Sequence, residues 1–247
     1  VVLRALLGHF SAESVTDGSV DTKLIDDLRS ELEGNDLLTA DMLHFWQMLD
    51  KCVSRTDFFG KKKHANEPVK LLNLACAHCE EAAVISAFFG QGGDGAPVRF
   101  FGMDVRAREI DTAKRRYELT EKIFRKLGIP AIKGESPEFE FFSDDATKLG
   151  GYQQIPEDFD IIFMRHQNVW HDRKIWQRIF QFSLDRLRDD GLLIITSYFD
   201  REHLIALETF KALGAEILVS EKNPNTRELD YPGKSVDRHM AVMRRRL

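Results

Sequence analysis

The sequence predicts an α/β protein: a helical N-terminal segment, then a mostly parallel sheet with helices on both faces. Three observations predict it. From Thr22 to about Val53, apolar residues recur at three- and four-residue steps, the spacing of amphipathic helices. At Val69 the rhythm changes to short apolar runs alternating with helical stretches, the pattern of parallel sheets. Polar or small residues then follow each of the first four runs, where such sheets bind their ligands.

In the helical segment the apolar positions are Leu24, Ile25, Leu28 and Leu32, then Leu37, Leu38, Met42, Leu43, Phe45, Trp46 and Leu49, with Asp21 and Thr39 as N-caps. The basic stretch from Gly60 to Pro68 reads as a linker or a flap over a site. Strands are expected at 69–75, 97–103, 138–143, 159–164 and 192–197, with 216–220 and 238–243 closing the sheet. Helices are expected at 80–89, 107–127, 171–188 and 202–213. Arg244-Arg245-Arg246 reads as a solvated tail.

The 247 residues are 43% hydrophobic and 30% charged, an ordinary globular composition with material for a sizeable core. No apolar run reaches the ~18 residues of a membrane-spanning helix, so no membrane insertion is expected. The opening VVLRALLGHFSAES lacks a small-residue cleavage site and is not read as a signal peptide. The net charge of −5 argues against nucleic acid as the partner. Three cysteines are too few for a disulfide framework, which points to a reducing, cytoplasmic setting.

The strand ends carry the chemistry. After the first strand, Asn73-Leu74-Ala75-Cys76-Ala77-His78-Cys79-Glu80-Glu81 lets a ligand approach small residues and the N–H groups of the next helix. It is not G-x-G-x-x-G, so a dinucleotide fold is poorly supported; a tight turn is the structural alternative. After the second strand, Asp104 can accept both hydrogen bonds of a ribose diol, or cap the next helix. After the third, Asp145 can accept from an adenine amino group, or serve only its loop. After the fourth, Arg165-His166-Gln167-Asn168-Val169-Trp170 marks the natural place for the reacting group.

Together these residues resemble class I S-adenosylmethionine-dependent methyltransferases, and among them the CheR-type chemoreceptor methyltransferases. Thr56-Asp57-Phe58-Phe59-Gly60 is similar to that family's T-x-F-F-R linker motif except at its last position. Ala75-Cys76-Ala77-His78-Cys79-Glu80-Glu81-Ala82 stands where the family has G-C-S-T-G-E-E-P, with both glycines replaced. Asp104, Val105, Arg106 and Ala113 follow its D-I-D…A pattern. The run from Phe159 through Arg165 and His166 to Asp172 follows its F-D-L-I-F-C-R-N-V-L-I-Y-F-D, with His166 in place of the asparagine.

The resemblance implies a Rossmann-like methyltransferase sheet of seven strands, the last antiparallel. It implies a helical N-terminal subdomain with its linker over 1–60, and a cofactor-binding domain over 61–247. The cofactor implied is S-adenosylmethionine. Its contacts would come from Asn73, Ala75, Cys76, Ala77 and Glu80, from Asp104 and Val105, from Asp145 and Ala146, and from Thr56 and Phe58. Arg165 and His166 would also touch it and would be the catalytic residues, with His166 a base for any acceptor that must lose a proton. The acceptor would be a protein carboxylate or a small molecule. No oligomeric state follows.

Two other readings stay open. The lost glycines suit a domain that binds without methylating. Cys76-Ala77-His78-Cys79 at a strand–helix junction suits a thiol redox protein. Those two cysteines and His78 leave a fourth metal ligand unidentified, so no metal site is assigned.

Overall fold

A computed structural model describes residues 36–61, 67–91, 98–126 and 138–246. The expected helix over the twenties and early thirties, its Asp21 cap and the middle of the basic linker lie outside the described residues.

Seven strands form one sheet. They are β1 (Val69–Leu74), β2 (Val98–Asp104), β3 (Glu138–Ser143), β4 (Phe159–Arg165), β5 (Leu187–Ser197), β6 (Ala215–Lys222) and β7 (His239–Arg245). Their order is β3-β2-β1-β4-β5-β7-β6. Strands β1 to β5 pair in parallel, and β7 runs antiparallel to both β5 and β6. The chain starts in the middle, works outward through β3, then crosses to β4. The point of reversal lies between β1 and β4, where open α/β sheets leave a crevice at the strands' carboxyl ends.

The central strands are buried on both faces, which is why they read as unbroken apolar runs. On one face lie α1 (Asp36–Val53), α2 (Ala82–Gln91) and α3 (Ala107–Lys126). Phe45, Leu49 and Cys52 of α1 share a core there with Phe163, Ile194 and Val242 of the sheet. On the other face lie α4 (Arg173–Asp185), α5 (Asp200–Ala212) and the 3-10 turn Ala146–Gly151. Among the described residues no helix is long and apolar enough to cross a membrane.

Three local expectations need correction. Helix α1 already runs from Asp36, so Thr39 lies inside it and is not its N-cap. Strand β5 begins at Leu187, five residues before the apolar run, because Arg188 reaches Asp160 and Asp189 takes an ion pair from Arg245. Gly191 makes this possible: a Cβ there would stand 2.9 Å from the Phe159 carbonyl oxygen. Arg244 and Arg245 belong to β7, and Arg244 donates to Glu216 at 2.8 Å, so they are not a solvated tail.

Candidate active site at the strand ends

The loop between β1 and α2 is held open in an unusual backbone. Ala75, Ala77 and Cys79 all have positive φ, at 54°, 48° and 54°. This region favours glycine, because an L side chain there crowds the following carbonyl. The loop is pinned from outside. Tyr117 of α3 donates its hydroxyl to the Cys79 carbonyl at 3.0 Å and accepts from the Ala83 N–H at 3.0 Å. The Cys76 N–H donates to the Met103 carbonyl at 3.1 Å.

Asp104 ends β2, only 3% exposed. One carboxylate oxygen accepts from the Ala77 N–H at 2.8 Å and from Arg106 Nη2 at 3.1 Å. The other accepts from the Arg106 N–H and Nε, both at 2.9 Å. Burial alone would raise its pKa; these hydrogen bonds outweigh that and hold it below the usual carboxylate range. Asp104 thus ties the β1–α2 loop to the start of α3. Val105 beside it is 70% exposed, a large apolar side chain in water at a strand end. At the end of β3, Asp145 caps the 3-10 turn by accepting from the Thr147 N–H at 2.9 Å, and Ala146 is buried beneath it.

Across the crevice lies a buried polar network. The Glu81 carboxylate accepts from Asn73 Nδ2 at 2.6 Å and from Arg165 Nη1 at 3.3 Å. Asp237 binds Arg165 at both ends, from Nε at 3.0 Å and Nη2 at 2.6 Å. The guanidinium also sits 5.3 Å from the Phe45 ring centroid, which brings α1 to the site. Burial works against its charge, but Asp237 and Glu81 prevail and keep Arg165 protonated. His166 leaves β4 at φ 60° with its Nε2 held by Asp237, 3.0 Å from the backbone nitrogen and 2.8 Å from Oδ1. Burial pushes the imidazole below its ordinary pKa, against the pull of the Asp237 carboxylate. Its ring stacks on Tyr198 at 3.7 Å. Asn73 Oδ1, Gln167 Nε2 and Thr196 Oγ1 are buried at the ends of β1, β4 and β5, with no hydrogen-bond partner among the described residues.

The structure therefore brings Asn73, Ala75, Cys76, Ala77, Asp104, Val105, Asp145, Ala146, Arg165 and His166 to one end of the sheet. Glu80 is half-buried near Arg116, at 3.7 Å, while the neighbouring Glu81 enters the network. Thr56 and Phe58 lie elsewhere. Thr56 closes the end of α1 on the Val53 carbonyl at 2.6 Å. Phe58 packs edge-on against Phe89, at the opposite end of α2 from the strand-end loop. Asp172 caps α4, accepting from the Lys174 and Ile175 N–H groups at 3.1 Å. Asp237 escaped the sequence reading, and Glu81 stood in it only within the strand-end run, with Glu80 chosen as the contact.

Cys76 and Cys79 are free and buried. Burial and the neighbouring Cys76 push the Cys79 thiol up, the opposite of a reactive thiolate at a helix start. The seven-stranded order likewise leaves no room for a four-stranded redox core.

No family model matches the chain, and no curated protein matches it. Solved structures do. An S-adenosylmethionine-dependent methyltransferase from Clostridium acetobutylicum aligns over 90% of this chain and 98% of that one, at 10% identity and a TM-score of 0.53. One from Methanosarcina mazei aligns over 74% and 94%, at 13% identity and a TM-score of 0.52. Magnesium protoporphyrin IX methyltransferase from Synechocystis, with S-adenosylmethionine bound, aligns over 85% and 84%, at 13% identity and a TM-score of 0.51. The fold is the Rossmann-like methyltransferase fold.

Proposed function

We propose that the protein is an S-adenosylmethionine-dependent methyltransferase. The observation that carries this reading is Asp104: a buried, ionised carboxylate at the end of β2, facing the β1–α2 loop beside the topological switch. Asp104 would hold the ribose diol, exchanging the half-exposed Arg106 side chain for it. Val105, which is exposed, would receive the adenine together with Asp145 and Ala146. The orphaned Asn73 Oδ1, with Glu81 beside it, suits the ammonium group of the methionine end better than Glu80 does. These donors and acceptors fit the cofactor, which when bound supplies an electrophilic methyl group. The chain's own task is then alignment and exclusion of water. Arg165 and His166 would wall the methyl-transfer end.

The chemoreceptor-type reading rests on the sequence run from Phe159 to Asp172 alone; the linker motif lies apart from the site, since Phe58 packs at the far end of α2. A domain that binds without methylating is the second reading, favoured by side chains at three backbone positions that suit glycine.

Calorimetry with S-adenosylmethionine and S-adenosylhomocysteine tests both. Binding is expected, and Asp104→Ala should weaken it by about 1–3 kcal/mol, the cost of losing charge-assisted hydrogen bonds. No heat at millimolar ligand overturns the proposal. Binding with no acceptor-dependent release of S-adenosylhomocysteine favours the second reading.

A further inference from the structure

The connection between β6 and β7 folds over the ends of β4 and β5. It is anchored at three points: Arg227 forks onto Asp41 at 2.6 and 3.0 Å, the Ser235 N–H donates to the Tyr198 carbonyl at 3.1 Å, and Asp237 clasps Arg165. So placed, it completes a cluster of aromatic rings from three separate segments. Trp170, after β4, meets Phe199, after β5, at 5.0 Å. Phe199 meets Tyr231 of the connection edge-on at 5.8 Å. The rings form a contiguous apolar patch at the surface, with Trp170 37% and Tyr231 64% exposed.

A cation stands at the inner side of this rim. Lys234 Nζ lies 4.3 Å from the centroid of Tyr198, whose ring stacks on His166. Among the described residues no carboxylate lies within 4.0 Å of that ammonium. The nearby Glu202 is buried and accepts from the Tyr198 N–H at 2.9 Å; it feels the Lys234 charge but makes no ion pair with it. An ammonium over a ring beside exposed aromatics, with no carboxylate in ion-pair range, is complementary to a flat ligand with a negative end.

We propose that the acceptor side of this site binds a small aromatic carboxylic acid, its ring among Trp170, Phe199 and Tyr231 and its carboxylate at Lys234. As substrate, this ligand class rests on the methyltransferase reading; as a binding site it does not. In transfer, a C–O bond forms at an oxygen of the acid while the sulfonium C–S bond breaks onto sulfur. The oxygen is one of the carboxylate's, so no proton is released.

The test titrates 4-hydroxybenzoate into the full chain by calorimetry, with benzylamine and cyclohexanecarboxylate as controls for charge and ring. 4-Hydroxybenzoate should bind about tenfold or more tightly than either control. Lys234→Ala should lose about tenfold and Lys234→Arg should keep most of it, while Tyr231→Ala should also lose about tenfold. Both side chains lie near the surface, so circular dichroism should show the fold intact. Equal binding of all three probes, or affinity unmoved by Lys234→Ala, overturns the proposal. So does self-association that Tyr231→Ala abolishes, which would make a second copy the occupant. S-adenosylhomocysteine binding, measured in parallel, separates the two claims. If it binds and the acid does not, only this inference fails. If the acid binds and it does not, only the methyltransferase reading fails.

Discussion

At the residue scale, the strand-end loop is set by backbone more than by side chains. Ala75 and Ala77 occupy the left-handed region at φ 54° and 48°. That costs an L residue about 1–2 kcal/mol, whereas glycine enters it freely at an entropic cost of about 0.5–1 kcal/mol. The first term exceeds the second, so Ala75→Gly and Ala77→Gly should each stabilise the protein, by up to about 1 kcal/mol. Urea unfolding should show a higher midpoint at unchanged slope. A lower midpoint would show that these methyl groups gain more from packing than they cost in strain. The replaced glycines at 75 and 79 were legible, since a family pattern flags them; Ala77 was not, because alanine in a run of small residues gives no sign of its φ. Asp104 was legible because a carboxylate directly after an apolar run can only sit at the strand's end. Choosing Glu81 over Glu80 needs the phase of the turn, which the Ala82 N–H to Cys79 carbonyl bond of 3.2 Å fixes. Asp237 lies 72 residues from Arg165, and no local pattern records that meeting.

At the element scale, every strand and helix of the described sheet was legible from period and length, and the errors fall at ends. Ends are decided by hydrogen bonds and charge pairs that hydrophobic period does not register, as at β5, where ion pairs hold a charged stretch in the sheet. The start of α5 shows the same kind of device with a functional neighbour. The helix's N-cap, Phe199, has no side chain to offer, and Glu202 reaches back to accept from the Tyr198 N–H. Burial raises the Glu202 pKa to about 7 from an unfolded value of about 4.5. The folded state therefore holds this proton more tightly than the unfolded chain. Stability falls as pH rises from about 4.5 to 7, the full cost is present above 7, and none is present below 4.5. Glu202→Gln keeps an acceptor for the Tyr198 N–H and removes the buried charge. The variant should match the parent near pH 4 and exceed it at pH 8 by roughly 3 kcal/mol, read from urea midpoints. A gap of the same size at both pH values would assign the effect to packing instead.

At the scale of the whole molecule, one helix decides how the parts hold together. Sequence period separates residues 1–60 from the sheet, because α1 has a helical rhythm and β1 does not. Packing joins them. Phe45 is fully buried, 5.4 Å from the Phe163 ring of β4 and beneath the Arg165 guanidinium. Asp41, a turn earlier, holds Arg227 of the β6–β7 connection. Lys51 and Arg55, at the helix's other end, both pair with Glu221 of β6. Phe45 is thus the point where helix, sheet and the charged network of the site share one wall. Phe45→Ala should cost about 3–5 kcal/mol, the transfer and cavity cost of a large core aromatic. Because α1 and the sheet share a core, unfolding of the parent should be a single transition by both far-ultraviolet circular dichroism and tryptophan fluorescence, and the variant should shift it without splitting it. Trp46 on α1 and Trp176 on α4 report from opposite faces of the sheet. If their fluorescence and the helical signal part company, so that α1 melts first and the sheet persists, the helix is a separable subdomain. The candidate site would then depend on how that helix docks.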